Sequence, residues 1–272
     1  MNFMKKIMLF VVAIAFSVTG VMAVNPIVTD SGYALQGIRV LYVYGGWYGH
    51  EPELNRDIFV PWMESQGAIV HVHNSLAAYE DAELMANIDL IIQHYTMGTI
   101  TGARERALLN AVRNGVGLAG WHGGIGDSFR NSVRFQYMVG GQWVEHPGNL
   151  IDYTVNMTSI VHPITYGIGD FRMYNTEQYL MHIDPNNMVL ATTTFSGEHD
   201  WWIEGKVMPV VWVRMHGHGR VFYSSIGHVA ADFDTPQALE ITKRGIIWAA
   251  GSMADRERGR VFQWITPVYR GH

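Results

Sequence analysis

A histidine stands where an apolar stretch breaks into a glycine-rich turn, in the segment 116–127 (VGLAGWHGGIGD). A strand that ends in small residues and then opens a helix is where α/β folds present a reactive side chain. The candidate at this position is His122. Because the chain contains no cysteine, a thiol nucleophile is excluded, and the chemistry on offer is that of an imidazole.

Further histidines fall at the predicted ends of other strands. His50 follows the turn after the first strand, His94 ends the third strand, and His228 follows a late strand that ends in Ser-Ser-Ile-Gly. In open α/β sheets, ligands bind outside the carboxyl ends of the strands. Each histidine taken alone is more often a packing or surface residue, but their shared position predicts that they meet at one edge of the sheet.

Glu177 is the candidate carboxylate, in the segment Tyr174 to Tyr179 (YNTEQY). Aromatic neighbours that exclude water raise the pKa of a carboxylate, which would suit Glu177 to act as an acid or a base. An ordinary surface glutamate explains the residue pattern equally well. With His122 and His228, Glu177 completes the predicted catalytic set.

Residues suited to substrate binding surround these candidates. Trp47 and Trp143 could stack on a sugar face, although aromatic residues pack in cores as often. The backbone amides of 123–126 could bind an oxyanion or a hydroxyl at the start of a helix, or the glycines could simply permit a tight turn. The predicted substrate-binding residues are His50, Trp47, His94, Gly123, Gly124, Trp143, His146 and Tyr179.

A metal site is expected only if distant strand ends assemble it, because neither H-E-x-x-H nor C-x-x-C is present. His216 and His218 have a ligand-like spacing, but they lie between two strand-like stretches, where a hairpin turn is the better interpretation. A divalent ion such as zinc could still bind through histidine and carboxylate. The candidate ligands are His50, His122 and His228.

A nucleotide cofactor is not expected, although residues 115–120 match the letters of the dinucleotide fingerprint G-x-G-x-x-G. In that fingerprint the glycines follow a strand and open a helix. Here they follow a predicted helix and lie within a predicted strand, so the match does not predict nucleotide binding.

Predicted strands and helices, which must position these residues, alternate in the first half of the chain. Helical spacing of Leu54, Ile58 and Trp62 predicts a helix that Pro61 kinks or breaks. A second helix is predicted over 101–114, with Thr101 as its N-cap and Gly115 as its stop. Strands separated by such helices indicate a parallel sheet covered by helices. These strands are predicted at 38–44, 68–73, 88–94 and 116–121.

The second half is dominated by strand-like stretches at 150–155, 188–193, 209–214 and 221–225, and it closes with a helix from Pro236 to Ala250. The predicted fold class is therefore α/β, with a mostly parallel sheet flanked by helices and extra strands, some antiparallel, from the second half. For His162 a structural role is favoured.

The composition limits the expected partners of the protein, and the N-terminal residues predict its location. A net charge of −5 without a basic patch excludes nucleic acid as an expected partner. Lys5 and Lys6, an apolar stretch at 7–18 and Val21-Met-Ala23 predict a signal peptide at 1–23 and a periplasmic or secreted protein. The apolar stretch is too short for stable membrane insertion. Residues 24–272 are predicted to form one domain, with a core at about 38–251, and a homo-oligomer is possible.

With these residues in view, the chain resembles the ThuA-like (trehalose-utilisation) family, which has a class I glutamine amidotransferase-like fold. The resemblance covers about 38–251 and depends on the order of several motifs. They are Gly-x-x-x-His50, Gly117-Leu-Ala-Gly-Trp-His122, Gly140-Gly-Gln-Trp-Val-Glu-His-Pro147, His162-Pro-Ile-Thr165, Glu177-Gln-Tyr179, Pro209-Val-Val-Trp212, Gly217-His-Gly-Arg-Val-Phe-Tyr223, Gly227-His228 and Arg244-Gly-Ile-Ile-Trp-Ala-Ala-Gly251.

The resemblance implies an enzyme that acts on keto-sugars or disaccharide derivatives by acid–base chemistry, through hydrolysis, isomerisation or elimination. Amidotransferase relatives carry a cysteine at the elbow, so glutamine hydrolysis is not expected of a chain without one. Two features depart from the family pattern. Thr176 precedes Glu177 where the family usually has aspartate, and Gly-Gly-Ile-Gly follows His122 where an alanine-rich turn is commoner. The alternatives are a non-catalytic carbohydrate-binding protein on the same scaffold and a metal-storage or metal-sensing protein.

Overall fold

The computed structural model describes residues 34–252, so the predicted signal peptide at 1–23 and the tail from 253 lie outside the described residues. No helix in the described part is long and apolar enough to cross a membrane. The strands are β1 Arg39–Gly46, β2 Ile69–His73, β3 Leu90–Thr96, β4 Gly117–Trp121, β5 Gly141–Glu145, β6 Leu150–Met157, β7 Phe171–Glu177, β8 Leu180–Ile183, β9 Met188–Thr194, β10 Val207–His216 and β11 Gly219–Ser224. The α-helices are α1 Pro52–Ser65, α2 Ala82–Ala86, α3 Gly102–Arg113, α4 Gly123–Gly126, α5 Val133–Val139 and α6 Pro236–Ala250.

Within the described residues, nine strands form one sheet in the order β2-β1-β3-β4-β11-β10-β9-β6-β7. The first five strands in this order are parallel to one another. The remaining four extend the sheet with antiparallel pairings. The predicted α/β fold, with antiparallel strands from the second half, is confirmed. β5 and β8 form a separate two-stranded antiparallel sheet.

The core covers both faces of the large sheet. In β1, Val40 and Tyr42 pack in the layer that contains α1 and α6, while Leu41 and Val43 pack in the layer that contains α3 and α5. Strands buried on both faces read as continuous apolar runs rather than alternating ones. This explains why β1, β3 and β4 could be recognised directly in the sequence.

Helix α1 differs from the prediction in two ways. It continues through Pro61 without a break, because Pro61 lies on the exposed side, where water can satisfy the carbonyl that loses its partner. Its buried stripe is formed by Asn55, Phe59 and Met63, whereas Leu54 is 52% exposed. The helix was therefore predicted correctly, but its buried face is shifted by one residue.

Several local predictions are confirmed, and some short elements were missed. Thr101 caps α3 by accepting a hydrogen bond from the Arg104 amide, and residues 216–219 form the turn of the β10–β11 hairpin. The glycines of 115–120 follow α3 and enter β4, as expected for a chance match to the nucleotide fingerprint. Strands β5, β7 and β8 and helices α2 and α5 were not predicted.

Gly117 allows β4 to approach helix α6 closely. A Cβ atom at this position would lie 2.2 Å from the backbone oxygen of Ala249, so Gly117→Ala should force the strand and the helix apart. We expect the substitution to lower the free energy of unfolding by about 1–3 kcal/mol. Gly169→Ala is the control, since nothing lies within 4 Å of a Cβ there, and it should change stability by less than ~0.5 kcal/mol. Equal urea midpoints for the two variants would contradict this reading.

His162 has the structural role that was favoured, and it makes stability depend on pH. Its Nδ1 accepts a hydrogen bond from the Ile164 amide, and its ring packs edge-on against Trp248. Burial, aided by Arg220, lowers the pKa of His162 to about 4. The folded state therefore favours the neutral ring, and this contribution to stability is complete above pH 6.5 and declines as the pH falls toward 4.

Replacing His162 with glutamine removes the titrating group, so the variant should lose less stability on acidification than the parent protein. We expect the two unfolding free energies to converge by about 2 kcal/mol between pH 7 and pH 5. Urea unfolding at both pH values measures this difference. A gap between parent and variant that is the same at pH 7 and pH 5 would show that His162 does not titrate in this range.

Candidate functional site

The elbow after β4 holds His122 in an unusual backbone conformation. Its φ is 48° and its ψ is −142°, a region in which a non-glycine residue is strained and which often occurs at functional sites. The His122 amide donates to the Ser224 oxygen at 2.7 Å, and the His122 oxygen accepts from the Gly126 amide at 2.8 Å. The elbow is thus fastened to β11 on one side and to α4 on the other, and the imidazole is fully buried.

Four side chains from four separate parts of the chain meet at this elbow. His50 lies in a 3-10 helix after β1, His122 follows β4, Glu177 ends β7, and His228 follows β11. One donor atom from each of these buried residues lies within 4.8 Å of the donor atoms of the other three. The structure therefore brings together all three predicted catalytic residues and all three candidate metal ligands.

Surrounding groups fix the orientation of the imidazoles. His122 Nδ1 lies 2.8 Å from the Ser225 backbone oxygen, and His50 Nδ1 lies 2.8 Å from Thr96 Oγ1. Asp232 accepts hydrogen bonds from the His228 amide at 2.9 Å and from Thr176 Oγ1 at 2.7 Å. It thereby joins the loop that carries His228 to the strand that carries Glu177.

Asn55 fixes the loop that carries His50. Its amide nitrogen donates to the backbone oxygens of His50 and Glu51, and its oxygen accepts from Trp121 Nε1 at 3.1 Å. Asn55, Thr96 and Asp232 were all missed at the sequence level. Each is an ordinary polar residue that orients the site because it is buried and hydrogen-bonded there. No local sequence pattern predicts that burial.

The contact between His122 Nε2 and Glu177 Oε2 is favourable only if a proton or a cation lies between these two atoms. The Ser225 carbonyl can only accept a hydrogen bond, so His122 Nδ1 carries a proton. His122 Nε2 lies 3.0 Å from Glu177 Oε2. A neutral imidazole would direct a lone pair at the lone pairs of an ionised carboxylate. A proton or a metal cation must therefore lie between them for the contact to be favourable.

Burial and neighbouring charges shift the pKa values of the cluster. Burial lowers the pKa of His50 to about 2, assisted by the nearby imidazoles of His122 and His228. Burial also lowers the pKa of His122, against the opposing effect of Glu177. For Glu177, burial raises the pKa, but the contacts with His122 and His228 outweigh it and the pKa is lowered. The prediction of a raised pKa for Glu177 is therefore wrong.

The remaining predicted binding residues lie around this cluster. The ring of Tyr179 lies 4.0 Å from that of His122, centroid to centroid, and Trp47 packs edge-on against His50. Trp143 has the guanidinium of Arg130 over its ring at 4.8 Å, and the ring of His146 lies 5.8 Å from it, centroid to centroid. These contacts place aromatic surface on the border of the cluster.

His146 is the most exposed imidazole beside the cluster. Its Nε2 lies 3.5 Å from Glu177 Oε1, and 24% of its side chain is exposed, compared with 1% for His122 and 11% for His228. A ligand in solvent would therefore reach His146 before it reached the buried histidines.

Gly123 and Gly124 allow two histidines to approach α4. A Cβ atom on Gly123 would lie 2.3 Å from the His50 ring, and one on Gly124 would lie 2.1 Å from the His94 ring. His94 itself stacks on Trp121 with 4.8 Å between centroids, and burial lowers its pKa to about 3. The two glycines thus have a packing role, and their binding of substrate stays a prediction.

Comparison with known proteins identifies the family of this chain. A family model described as trehalose utilisation (ThuA) matches residues 39–249. The chain belongs to the ThuA family. No curated protein matches the sequence of this ThuA protein.

Among solved structures, a ThuA-like protein from Bacteroides uniformis is 18% identical, with a TM-score of 0.66, and the match covers 80% of this chain and 95% of that one. A ThuA-like protein from Parabacteroides merdae is 19% identical, with a TM-score of 0.65, and the match covers 85% and 93%. A glutamine amidotransferase from Thermotoga maritima matches with a TM-score of 0.45 at 11% identity, covering 84% and 100%.

Asp232 should contribute to stability through its two buried hydrogen bonds. Asp232→Ala leaves the His228 amide and the Thr176 hydroxyl without their acceptor, so we expect a loss of about 1–3 kcal/mol in unfolding free energy. The control is Asp234→Ala, at an exposed position in the same 3-10 helix, which should stay within ~0.5 kcal/mol of the parent. Urea unfolding measures both. The assignment of Asp232 would be wrong if its variant were as stable as the control.

Proposed function

We propose that this ThuA protein is a carbohydrate-processing enzyme that uses a divalent cation held by His50, His122, His228 and Glu177. The observation that carries the proposal is the meeting of these four donors within 4.8 Å of one another. Three imidazoles and one carboxylate form a set of four ligands of the kind that binds zinc, and the same donors suit other divalent transition metals.

The surroundings of the four residues fit a cation. His50 and His122 each have Nδ1 engaged by an outer group, which leaves Nε2 for a ligand role, as is usual for metal-binding histidines. His228 Nδ1 is buried, lies 3.4 Å from Glu177 Oε2 and has no hydrogen-bond partner among residues 34–252. A bound cation would act as a Lewis acid toward a carbonyl or hydroxyl oxygen of the sugar.

His146 is the residue we assign to proton transfer. General acid–base catalysis needs a titratable group within reach of the substrate, and His146 combines exposure to solvent with proximity to Glu177. In a keto-sugar, it would remove or return the proton on the carbon next to the carbonyl. That step is shared by isomerisation and elimination. His122 and Glu177, which were predicted to be the acid–base pair, serve in this proposal as ligands.

Carbohydrate is proposed as the substrate class on two grounds. The family description is trehalose utilisation, and the rings of Trp47, which is 39% exposed, and of Trp143, which is partly exposed, border the cluster. Aromatic rings commonly supply the apolar surface against which a ligand packs. Export, proposed from residues 1–23, would place the reaction in the periplasm or outside the cell.

Metal content tests the ligand assignment. Protein purified without a histidine tag and dialysed should retain about one divalent cation per chain, measured by elemental analysis. His122→Ala should weaken the binding of zinc by more than the roughly 10–100-fold that loss of an outer-shell partner costs. His182→Ala, at an exposed position on β8, should bind zinc like the parent. Parent protein without any tightly bound cation, or an unaffected His122→Ala, would refute the metal site.

Turnover tests the role of His146. In an assay of 3-keto-disaccharides by mass spectrometry, His146→Gln should lower kcat by roughly 10²–10⁴-fold, the range for loss of a general acid–base group, while keeping its metal. His182→Ala should keep full activity. A parent protein that binds these sugars without forming product would favour the non-catalytic binding protein instead.

A further inference from the structure

A groove adjoins the catalytic cluster and has a different chemical character. It has a volume of about 750 Å³ and lies between the β5–β6 turn and the segment 198–202. This volume falls within the ~300–1,000 Å³ range of small-molecule sites. Its walls meet where the ring of His199 lies over Gly148, so closely that a Cβ atom there would be 2.3 Å from the ring.

His146 connects the groove to the cluster. It lines the groove, its Nε2 lies 3.5 Å from Glu177 Oε1, and its Nδ1 has no hydrogen-bond partner within the part of the chain that the structure describes. Leu180, which also lines the groove, directly follows Tyr179, whose ring packs on His122. A ligand whose reacting atoms lie at the cluster would therefore extend into this groove.

The groove offers one large aromatic surface and three carboxylates. Trp202 is 62% exposed, and Glu145, Glu198 and Asp200 contribute the acidic groups. No lysine or arginine is among the residues that line it. Carboxylates accept hydrogen bonds from hydroxyl groups, whereas they repel phosphates, sulfates and other carboxylates.

We propose that this groove binds the non-reacting sugar unit of an uncharged disaccharide, with Trp202 against its apolar face and the carboxylates receiving its hydroxyl groups. This rests on the proposed function, because it places the reacting unit at the metal-binding cluster. The proposal selects substrates by charge. Disaccharides that carry a phosphate or a uronic acid on the second unit are disfavoured, since the residues that line the groove include three carboxylates and neither lysine nor arginine.

Binding measurements test the groove without requiring turnover. Trehalose, maltose and cellobiose, each with and without a 3-keto group, are titrated by calorimetry against the full chain, alongside trehalose 6-phosphate and cellobiouronic acid. We expect at least one uncharged disaccharide to bind at least tenfold more tightly than its charged counterpart. Trp202→Ala should weaken that binding at least tenfold. Trp201→Ala should stay within twofold, because Trp201 is exposed beside Trp202 but does not line the groove.

The carboxylates are tested by the double substitution Glu198→Gln with Asp200→Asn. These amides keep hydrogen-bonding oxygens but remove two negative charges, so binding of trehalose 6-phosphate should improve at least fivefold while the parent disaccharide changes less. Equal binding of charged and uncharged disaccharides by the parent protein would overturn the proposal. Equal loss of binding in Trp201→Ala and Trp202→Ala would also overturn it.

Failure of the groove and failure of the proposed function can be told apart. If disaccharides bind in a Trp202-dependent manner and no product forms, the groove stands and the enzymatic proposal fails. If product forms and Trp202→Ala leaves KM unchanged, the enzyme stands and the groove is wrong. If no disaccharide binds at roughly 10 mM, a concentration that would reveal even weak complexes, and none is converted, both are wrong.

Discussion

The contact between His122 and Glu177 depends on how the two halves of the fold are joined. β4 and β7 are separated in the large sheet by β11, β10, β9 and β6, and five strand spacings correspond to about 24 Å in a flat sheet. Yet the side chains that follow β4 and end β7 lie 3.0 Å apart. β6 pairs with β9 only at Asn156 and Met157, whereas Glu177 pairs with Leu150 at the opposite end of β6. The β6–β7 pair must therefore leave the plane of the large sheet before it reaches Glu177.

The small sheet connects this β6–β7 pair to the elbow. After Gln178 and Tyr179 the chain enters β8, which pairs with β5 rather than with any strand of the large sheet. β5 follows α5, whose own predecessor α4 begins at the elbow. The β6–β7 pair and the β5–β8 pair together hold Glu177 and Tyr179 against the histidines that follow β1, β4 and β11. Without these two pairs, the histidines would meet at the edge of the sheet but lack their carboxylate.

This division also explains what the sequence could predict. His50, His122 and His228 follow parallel, fully buried strands, which are apolar runs with clear ends, so their convergence follows from the general geometry of parallel sheets. Glu177 was proposed only from its aromatic neighbours, because β7 and β8 mix polar with apolar residues. Its lowered pKa could not be foreseen, since the aromatic neighbours are local and the imidazoles that reverse their effect are distant in sequence. The buried face of α1 was predicted one residue away from its true position for a similar reason. Asn55 is buried because it forms hydrogen bonds to the His50 loop and to Trp121, and a pattern of hydrophobic residues does not include a buried asparagine.

His122 and His50 differ in whether a substitution can remove the group that contacts their Nδ1 atoms. The tautomer of His122 is set by the main-chain oxygen of Ser225, a group that every amino acid supplies, so replacing the Ser225 side chain leaves it in place. His50 Nδ1 instead meets the hydroxyl of Thr96, which can donate or accept a hydrogen bond and which one nucleotide change can delete. Divergence among descendants of this chain would therefore preserve the geometry at the elbow while letting the basicity of His50 drift. A residue outside the cluster could in this way alter the chemistry of one of its imidazoles.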